Sequence, residues 1–240
     1  MVQGKWPPIQ IEPVAVIRSP YQEKFGIPRQ PGLVEQAIGE IELLSPYDDP
    51  AMLDGLDGFS HIWVTFRFDR CVDQGWRPKV RPPRLGGNDE VGVWASRAPF
   101  RPNFLGLSVL RLLEVTREPA PMLRVAGVDL LDQTPIYDIK PYVPYVDAVT
   151  DAVAGYAVGP PVARLVVRFT PKAEQDLADT PQPQHLRELV AAVLALDPRP
   201  AYRQSEQGGR VYGMRLADRD VRWRVDVAGV EVLELANPAA

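Results

Sequence analysis

The sequence predicts a mainly β protein, with an N-terminal barrel over residues 1–155 and a small α+β unit over 163–240. Three observations point there. Apolar and polar residues alternate with period two through the first two-thirds of the chain. The 26 prolines leave little room for long helices. Helical spacing of apolar residues appears only near the C-terminus.

The elements follow in order. "EPVAVIR" and "AIGEIEL" read as the first strands. "HIWVTFRF" places Ile62, Val64, Phe66 and Phe68 on one face and His61, Trp63, Thr65 and Arg67 on the other. "EVGVWAS", "LGLSVLRLLEV" and "MLRVAGVDL" continue the pattern. Many short strands punctuated by proline and glycine suit a closed or nearly closed barrel better than βαβ units. "AVAGYAVGPPV" (152–162) is small, uncharged and rich in glycine and proline, and reads as a linker. "HLRELVAAVLAL" (185–196) then sets Leu186, Leu189, Val190, Val193 and Leu194 at helical spacing, and "DPRP" stops the helix. "RVYGMRL", "DVRWRVDV" and "VEVLEL" read as three closing strands. A unit of about 75 residues buries little core by itself, so it is expected to pack on the barrel.

Composition excludes several classes of function. Apolar residues make up 45% of the chain, yet no run of about 18 of them occurs, so no membrane helix is expected. The start lacks the features of a secretory signal, and Cys71 is the single cysteine. These point to a soluble protein of a reducing cytoplasm. With only His61 and His185, neither a histidine-rich metal site nor a Ser-His-Asp triad is well supplied, and no metal is expected. His61 reads as a structural histidine and His185 as a surface residue. There is no GxG nucleotide loop, Walker-type Gly-Lys-Ser/Thr, HExxH or GxSxG. The net charge of −4 argues mildly against a nucleic-acid partner, but its distribution argues the other way. Arg77, Lys79, Arg81 and Arg84 lie in an acid-free block from Gln74 to Asn88. Arg97, Arg101 and Arg111 lie in another from Val91 to Leu113. Together they predict a local anion-binding face.

Three loops carry more polar and conformationally special residues than folding requires. "SPYQEKFGIPRQPGLV" (19–34) bends at Pro28, Pro31 and Gly32 and projects Arg29 and Gln30. "RPPRLGGN" (81–88) leads into "RAPFRPN" (97–103), where prolines limit the entropy lost in holding arginines for a ligand. "DLLDQTPIYDIKPYVPYVD" (129–147) combines Asp129, Asp132 and Asp138 with Lys140 and three tyrosines. A joint binding site explains the three loops more economically than three separate surface accidents.

The stretches "VIRSPYQEKFGIPRQPGLV", "GLDGFSHIWVTFRF", "WRPKVRPPRLGG", "VGVWASRAPFRPNFLGLSVL" and "VDLLDQTPIYDIKPYVPY" resemble the TsaA-like β-barrel family and its TrmO-type tRNA (adenine N-6)-methyltransferases. The resemblance runs through residues 12–147, and "DPRPAY" with "DVRWRV" resembles the small C-terminal domain of the bacterial members. It implies an S-adenosylmethionine-dependent enzyme that methylates N-6 of the threonylcarbamoyl-modified adenosine beside the tRNA anticodon. It also implies a homodimer with cofactor near the subunit contact. A barrel in place of a Rossmann fold agrees with the missing GxG loop, and with the absence of the Asn/Asp-Pro-Pro-aromatic loop of other amino-methylating enzymes.

Carried over position by position, the resemblance assigns Arg29, Gln30, Pro31, Gly32, Phe68, Asp69, Arg97, Leu107, Leu130, Leu131, Asp132 and Gln133 to the cofactor. The chain departs from the family in having Asp69 for His, Phe104-Leu105 for Pro-Ile and Gln133 for Gly. A glycine at positive φ, or at a close backbone approach, would make Gln133 a constriction.

Chemical suitability assigns the remaining roles. The acceptor nitrogen lies between an adenine ring and a carbonyl, so it must lose a proton, and a general base assists that loss. Asp138 is the candidate base, Lys140 its charge partner or a phosphate contact, and Arg97 completes the catalytic set. Arg77, Lys79, Arg81, Arg84, Arg101 and Asn103 are candidate contacts to the tRNA anticodon loop. The competing expectation is a non-catalytic barrel of the same descent that binds RNA or a partner. A small-molecule hydrolase fits poorly, since no nucleophile–base pair is visible.

Overall fold

The computed structural model describes residues 6–161, 165–200, 203 and 209–238. Its larger part is a closed six-stranded barrel of β1 (Ala15–Arg18), β2 (Ile38–Leu43), β3 (His61–Arg67), β6 (Leu105–Thr116), β7 (Met122–Ala126) and β8 (Thr134–Pro141). Their order around the barrel is β1-β2-β7-β6-β3-β8. Every neighbouring pair is antiparallel, and β1 closes on β8 with Ala15 opposite Ile136 and Ile17 opposite Thr134.

Alternation produces this wall. In β3, Ile62, Val64 and Phe66 are buried while the residues between them are part-exposed. They meet Ile17, Ile41, Leu110, Leu123, Val125 and Ile136 in one core, each fully buried side chain contributing about 1.5–3 kcal/mol. Gly106 faces Phe66 across β6 and β3. A Cβ there would sit 2.5 Å from Cε2 of the Phe66 ring, so only glycine fits beside it.

In an all-antiparallel barrel, successive connections alternate between the two ends. The connections 19–37, 68–104 and 127–133 therefore share one rim. The longest of them, 68–104, contains the two-residue strands β4 (Lys79–Val80) and β5 (Val91–Gly92), which pair with each other. The strand expected over "EVGVWAS" is thus mostly absent. Val93–Ala95 form a 3-10 turn, because Ser96 N–H, the Ser96 hydroxyl and Arg101 all donate to the Val93 carbonyl.

The smaller part carries the sheet β10-β11-β12-β9, from β9 (Val167–Phe169), β10 (Val211–Leu216), β11 (Arg219–Asp226) and β12 (Gly229–Ala236). Two helices cover it, α2 (Pro171–Ala178) and α3 (Pro183–Ala195), after the single turn α1 (Pro144–Asp147). The five apolar residues at helical spacing are the five that α3 buries. Sequence patterning misses α2 because it buries only Ala173 and Leu177; capping of Ala173 N–H by the Thr170 hydroxyl (3.1 Å) helps define its start.

This unit packs on the barrel through the first rim loop. Tyr21 bridges Leu216, Ala217 N–H donates to the Pro20 carbonyl (2.7 Å), and Arg215 N–H donates to Glu23 (3.0 Å). The rings of Phe25, Trp223 and Tyr212 stack in sequence, 6.5 and 4.8 Å apart. The expected packing of the small unit on the barrel is therefore present. Among the described residues no helix is long and apolar enough to cross a membrane, and no group of three or more His, Cys, Asp or Glu is placed to hold a metal ion.

Candidate functional site

The three rim connections meet around Arg97. Its Nη1 donates to Oε1 of Gln30 and its Nη2 to the Leu107 carbonyl (3.2 Å). One guanidinium thus ties the first rim loop to β6, a job suited to a planar, forked donor. β7 pairs with residues 111–116 of β6, so among the described residues the half of β6 that holds Leu107 has no strand on that edge. Leu107 remains 47% exposed beside the guanidinium.

The first loop is seated by glycine. Gly32, at φ +75°, donates its N–H to the Gly127 carbonyl (2.8 Å). A Cβ on Gly127 would stand 2.9 Å from Cα of Gly32, so the two backbones approach more closely than side chains permit. Residues 29–32 therefore lie directly against the turn that leads into Asp129–Gln133. In that turn Asp132 accepts from Ser19 N–H (2.8 Å) and Gln133 N–H donates to the Ile17 carbonyl (2.9 Å). Gln133 has φ +64°, a left-handed conformation suited to the glycine that the family resemblance implies there. Its exposed side chain reaches Asp132 Oδ2 at 3.5 Å.

Phe104 is the second departure with a structural consequence. It has φ +54° and is 9% exposed. Its N–H donates to the Arg101 carbonyl (3.0 Å) and its carbonyl accepts from Phe68 N–H (2.8 Å). Proline cannot adopt that φ or donate that bond. Order lost with the proline is replaced here by burial of the ring and by these two backbone bonds, which also fix Phe68. Asp69 pairs with its neighbour Arg70 at 3.1 Å.

Arg29, Gln30, Pro31, Gly32, Arg97, Leu107 and Asp132 thus converge around the rim. Asp138 and Lys140 lie elsewhere, exposed on β8. Asp138 pairs in register with Thr65, which pairs with Leu107, so it stands level with Leu107 on the barrel wall. Two strand spacings separate them, about 10 Å. Asp138 Oδ1 accepts from Ile139 N–H at 3.0 Å. Of the candidate nucleic-acid contacts, Arg81 pairs with Glu90 (3.2 Å) and Arg77 lies over the Phe100 ring (4.4 Å). Arg101 donates to the carbonyls of Val93 (3.2 Å) and Ser96 (2.7 Å). Lys79, Arg84 and Asn103 are exposed.

One polar pair escapes assignment from sequence. The Ser108 hydroxyl donates to Asp129 Oδ1. Burial raises the Asp129 pKa to about 6, against the lowering effects of Ser108 and the Arg97 charge. The available signal is Ser108 itself, a polar residue at an inward position of an alternating strand.

A closed barrel whose rim loops gather Gln30, Gly32, Arg97 and Asp132 at one end, followed by an α+β unit, defines a two-part barrel protein with no nucleotide-binding βαβ unit among the described residues. The chain belongs to the tRNA-methyltransferase O family: the model of the family's N-terminal domain matches residues 16–148, and that of its C-terminal domain matches 162–238. It is 48% identical over 229 residues to the tRNA (adenine(37)-N6)-methyltransferase of Escherichia coli K12, covering 94% of this chain and 97% of that protein. It is 47% identical over 232 residues to a Pseudomonas aeruginosa protein described as a candidate S-adenosylmethionine-dependent methyltransferase, RcsF, covering 95% and 97% respectively. A crystal structure of TrmO from Pseudomonas aeruginosa superposes with a TM-score of 0.79 at 39% identity, covering 96% of this chain and 99% of that one.

Proposed function

We propose that this chain is an S-adenosylmethionine-dependent tRNA methyltransferase acting on N-6 of the threonylcarbamoyl-modified adenosine beside the anticodon. The observation that carries the reading, beyond family membership, is the Arg97 bridge between Gln30 and Leu107. The donor set fits the cofactor. A guanidinium suits its carboxylate, the exposed Leu107 offers an apolar surface for its adenine, and Asp132 supplies negative charge for its cationic centres. The Gly32–Gly127 approach leaves open space at the Gly32 α-carbon, where a ligand meets backbone. When bound, the cofactor supplies a methyl group on a sulfonium.

The protein's own work is positioning and proton removal. Arg97, Gln30 and Gly32 hold one face of the cleft, and Leu107 borders the wall that carries Asp138. Asp138 accepts the proton of the acceptor nitrogen, with Lys140 on the same strand as charge partner. Lys79 and Arg84, with Arg77, Arg81, Arg101 and Asn103 around them, meet the backbone of the anticodon loop. A homodimer in the cytoplasm belongs to the same reading, as does the division into a cofactor-bearing barrel, 1–155, and a smaller unit, 163–240. Family matches that end at 148 and resume at 162 support that division.

The test is methyl transfer from labelled S-adenosylmethionine to tRNA that carries or lacks the threonylcarbamoyl group. Label on the modified tRNA alone is expected. Cofactor binding without transfer to either tRNA overturns the reading in favour of a non-catalytic barrel.

A further inference from the structure

The connection between β3 and β6 holds two indoles in solvent, Trp94 at 72% exposure and Trp76 at 58%. A lone exposed tryptophan is unremarkable; the scaffold around Trp94 is not. Val93 beside it is buried and its N–H donates to the Pro78 carbonyl (3.0 Å). Its carbonyl takes the three donors described above. On the other side, the Ala95 carbonyl accepts from the Tyr156 hydroxyl (3.0 Å), which ties the interdomain segment to the same turn. Arg101, pinned by two carbonyls, places its guanidinium 5.3 Å from the centre of the Trp94 ring. Phe100 carries Arg77 in the same manner, and Arg77 N–H donates to the Phe100 carbonyl (3.1 Å). Aromatic and cationic side chains thus interleave, with Trp76, Arg77, Phe100, Arg101 and Trp94 on two joined segments.

We propose that Trp94, backed by Arg101, is a stacking platform for an unpaired nucleobase of an RNA loop. The inference rests on the tRNA reading above and adds a contact of a different kind from the phosphate contacts. Sequence-tolerant recognition of single strands combines cations for the backbone with a fixed aromatic face for a base. The charge around the platform favours a polyanion, since 74–88 and 91–113 contain no acidic residue and are interrupted only by Asp89 and Glu90, the latter paired with Arg81. Arg101 gives its Nη1 to the Val93 and Ser96 carbonyls, which fixes the guanidinium beside the ring. Trp94 lies three residues before Arg97, which puts a stacked base beside the rim cleft. The competing occupant of the indole is a second copy of this chain.

The test uses the full chain, an anticodon stem-loop RNA as probe, and the variants Trp94→Ala and Trp94→Phe. Binding is measured across a salt series, with sedimentation and cofactor affinity measured in parallel. Trp94→Ala is expected to weaken RNA binding by at least about 5-fold, the effect of losing one base–aromatic stack. The salt slope stays unchanged because no phosphate contact is lost. Trp94→Phe recovers most of the affinity, and sedimentation and cofactor affinity stay as in the wild type. Unchanged RNA affinity in Trp94→Ala, a reduced salt slope, or loss of affinity that follows a change of oligomeric state overturns the platform. If the wild-type chain binds no RNA, the methyltransferase reading falls with it. If the wild type binds and Trp94→Ala binds equally, the platform alone falls.

Discussion

The Ser108 hydroxyl donates to Oδ1 of Asp129 at 2.8 Å, joining an inward position of β6 to the turn between β7 and β8. Desolvation raises the Asp129 pKa to about 6, so the folded protein holds a proton there that the unfolded chain has released. Stability from this group is therefore greatest below about pH 4 and declines as pH rises towards 6, where the carboxylate ionises in place. The full effect is at most about 3 kcal/mol. Asp129→Asn removes the ionisation, so its stability relative to wild type should rise between pH 4 and 6 and level off above. Thermal denaturation of both proteins across that range measures it; a constant difference between them would show that Asp129 does not titrate there.

Replacing Arg97 by lysine keeps the charge and loses the fork. One ammonium cannot reproduce the paired contacts to Gln30 and Leu107 with the same geometry. Cofactor affinity, read by calorimetry, should fall at least about 10-fold, the equivalent of roughly 1.4 kcal/mol. Wild-type affinity in Arg97→Lys would reduce Arg97 to a source of charge.

Gln133→Gly should stabilise the protein by up to about 1 kcal/mol, since relief of left-handed strain exceeds the added chain entropy of glycine. Urea denaturation checks this. A loss of stability would show that the Gln133 side chain contributes more than its strain costs.

Gly106→Ala should destabilise the barrel by about 1–3 kcal/mol, because the new methyl meets the Phe66 ring in a packed interior. The double variant Gly106→Ala/Phe66→Leu should lose less than the two single effects summed, and strict additivity would place the strain elsewhere.

How far the sequence reveals the fold depends on the period of each element. Ile62, Val64 and Phe66 announce β3 because a strand shows one face per two residues. Leu186 to Leu194 announce α3 because five apolar residues repeat at helical spacing. "VGVW" alternates equally well, yet Arg101 and Ser96 curl it into a turn, and nothing local signals those donors. Barrel closure through Ala15 and Ile136 is likewise invisible to periodicity, since it depends on chain segments far apart. In the site, the residues carried by the "PRQPG" motif and Arg97 do converge. The orientation of Trp94 depends on bonds to backbone carbonyls made across loops, and the Ser108–Asp129 bond joins side chains 21 residues apart, neither of which a linear pattern encodes.

The loop that carries Arg29 to Gly32 is held from behind by strands near the other end of the chain. Glu23 and Arg215, 192 residues apart, share one of those bonds. During synthesis the barrel strands emerge first, and residues 20–25, already bound to the barrel through Tyr21 and Lys24, gain their contacts to 212–223 last. The rim loop is then seated on the barrel by Gly32 and Gly127 before the last strands cover its outer side. The smaller unit thus acts as a late clamp on a loop that the barrel has already placed.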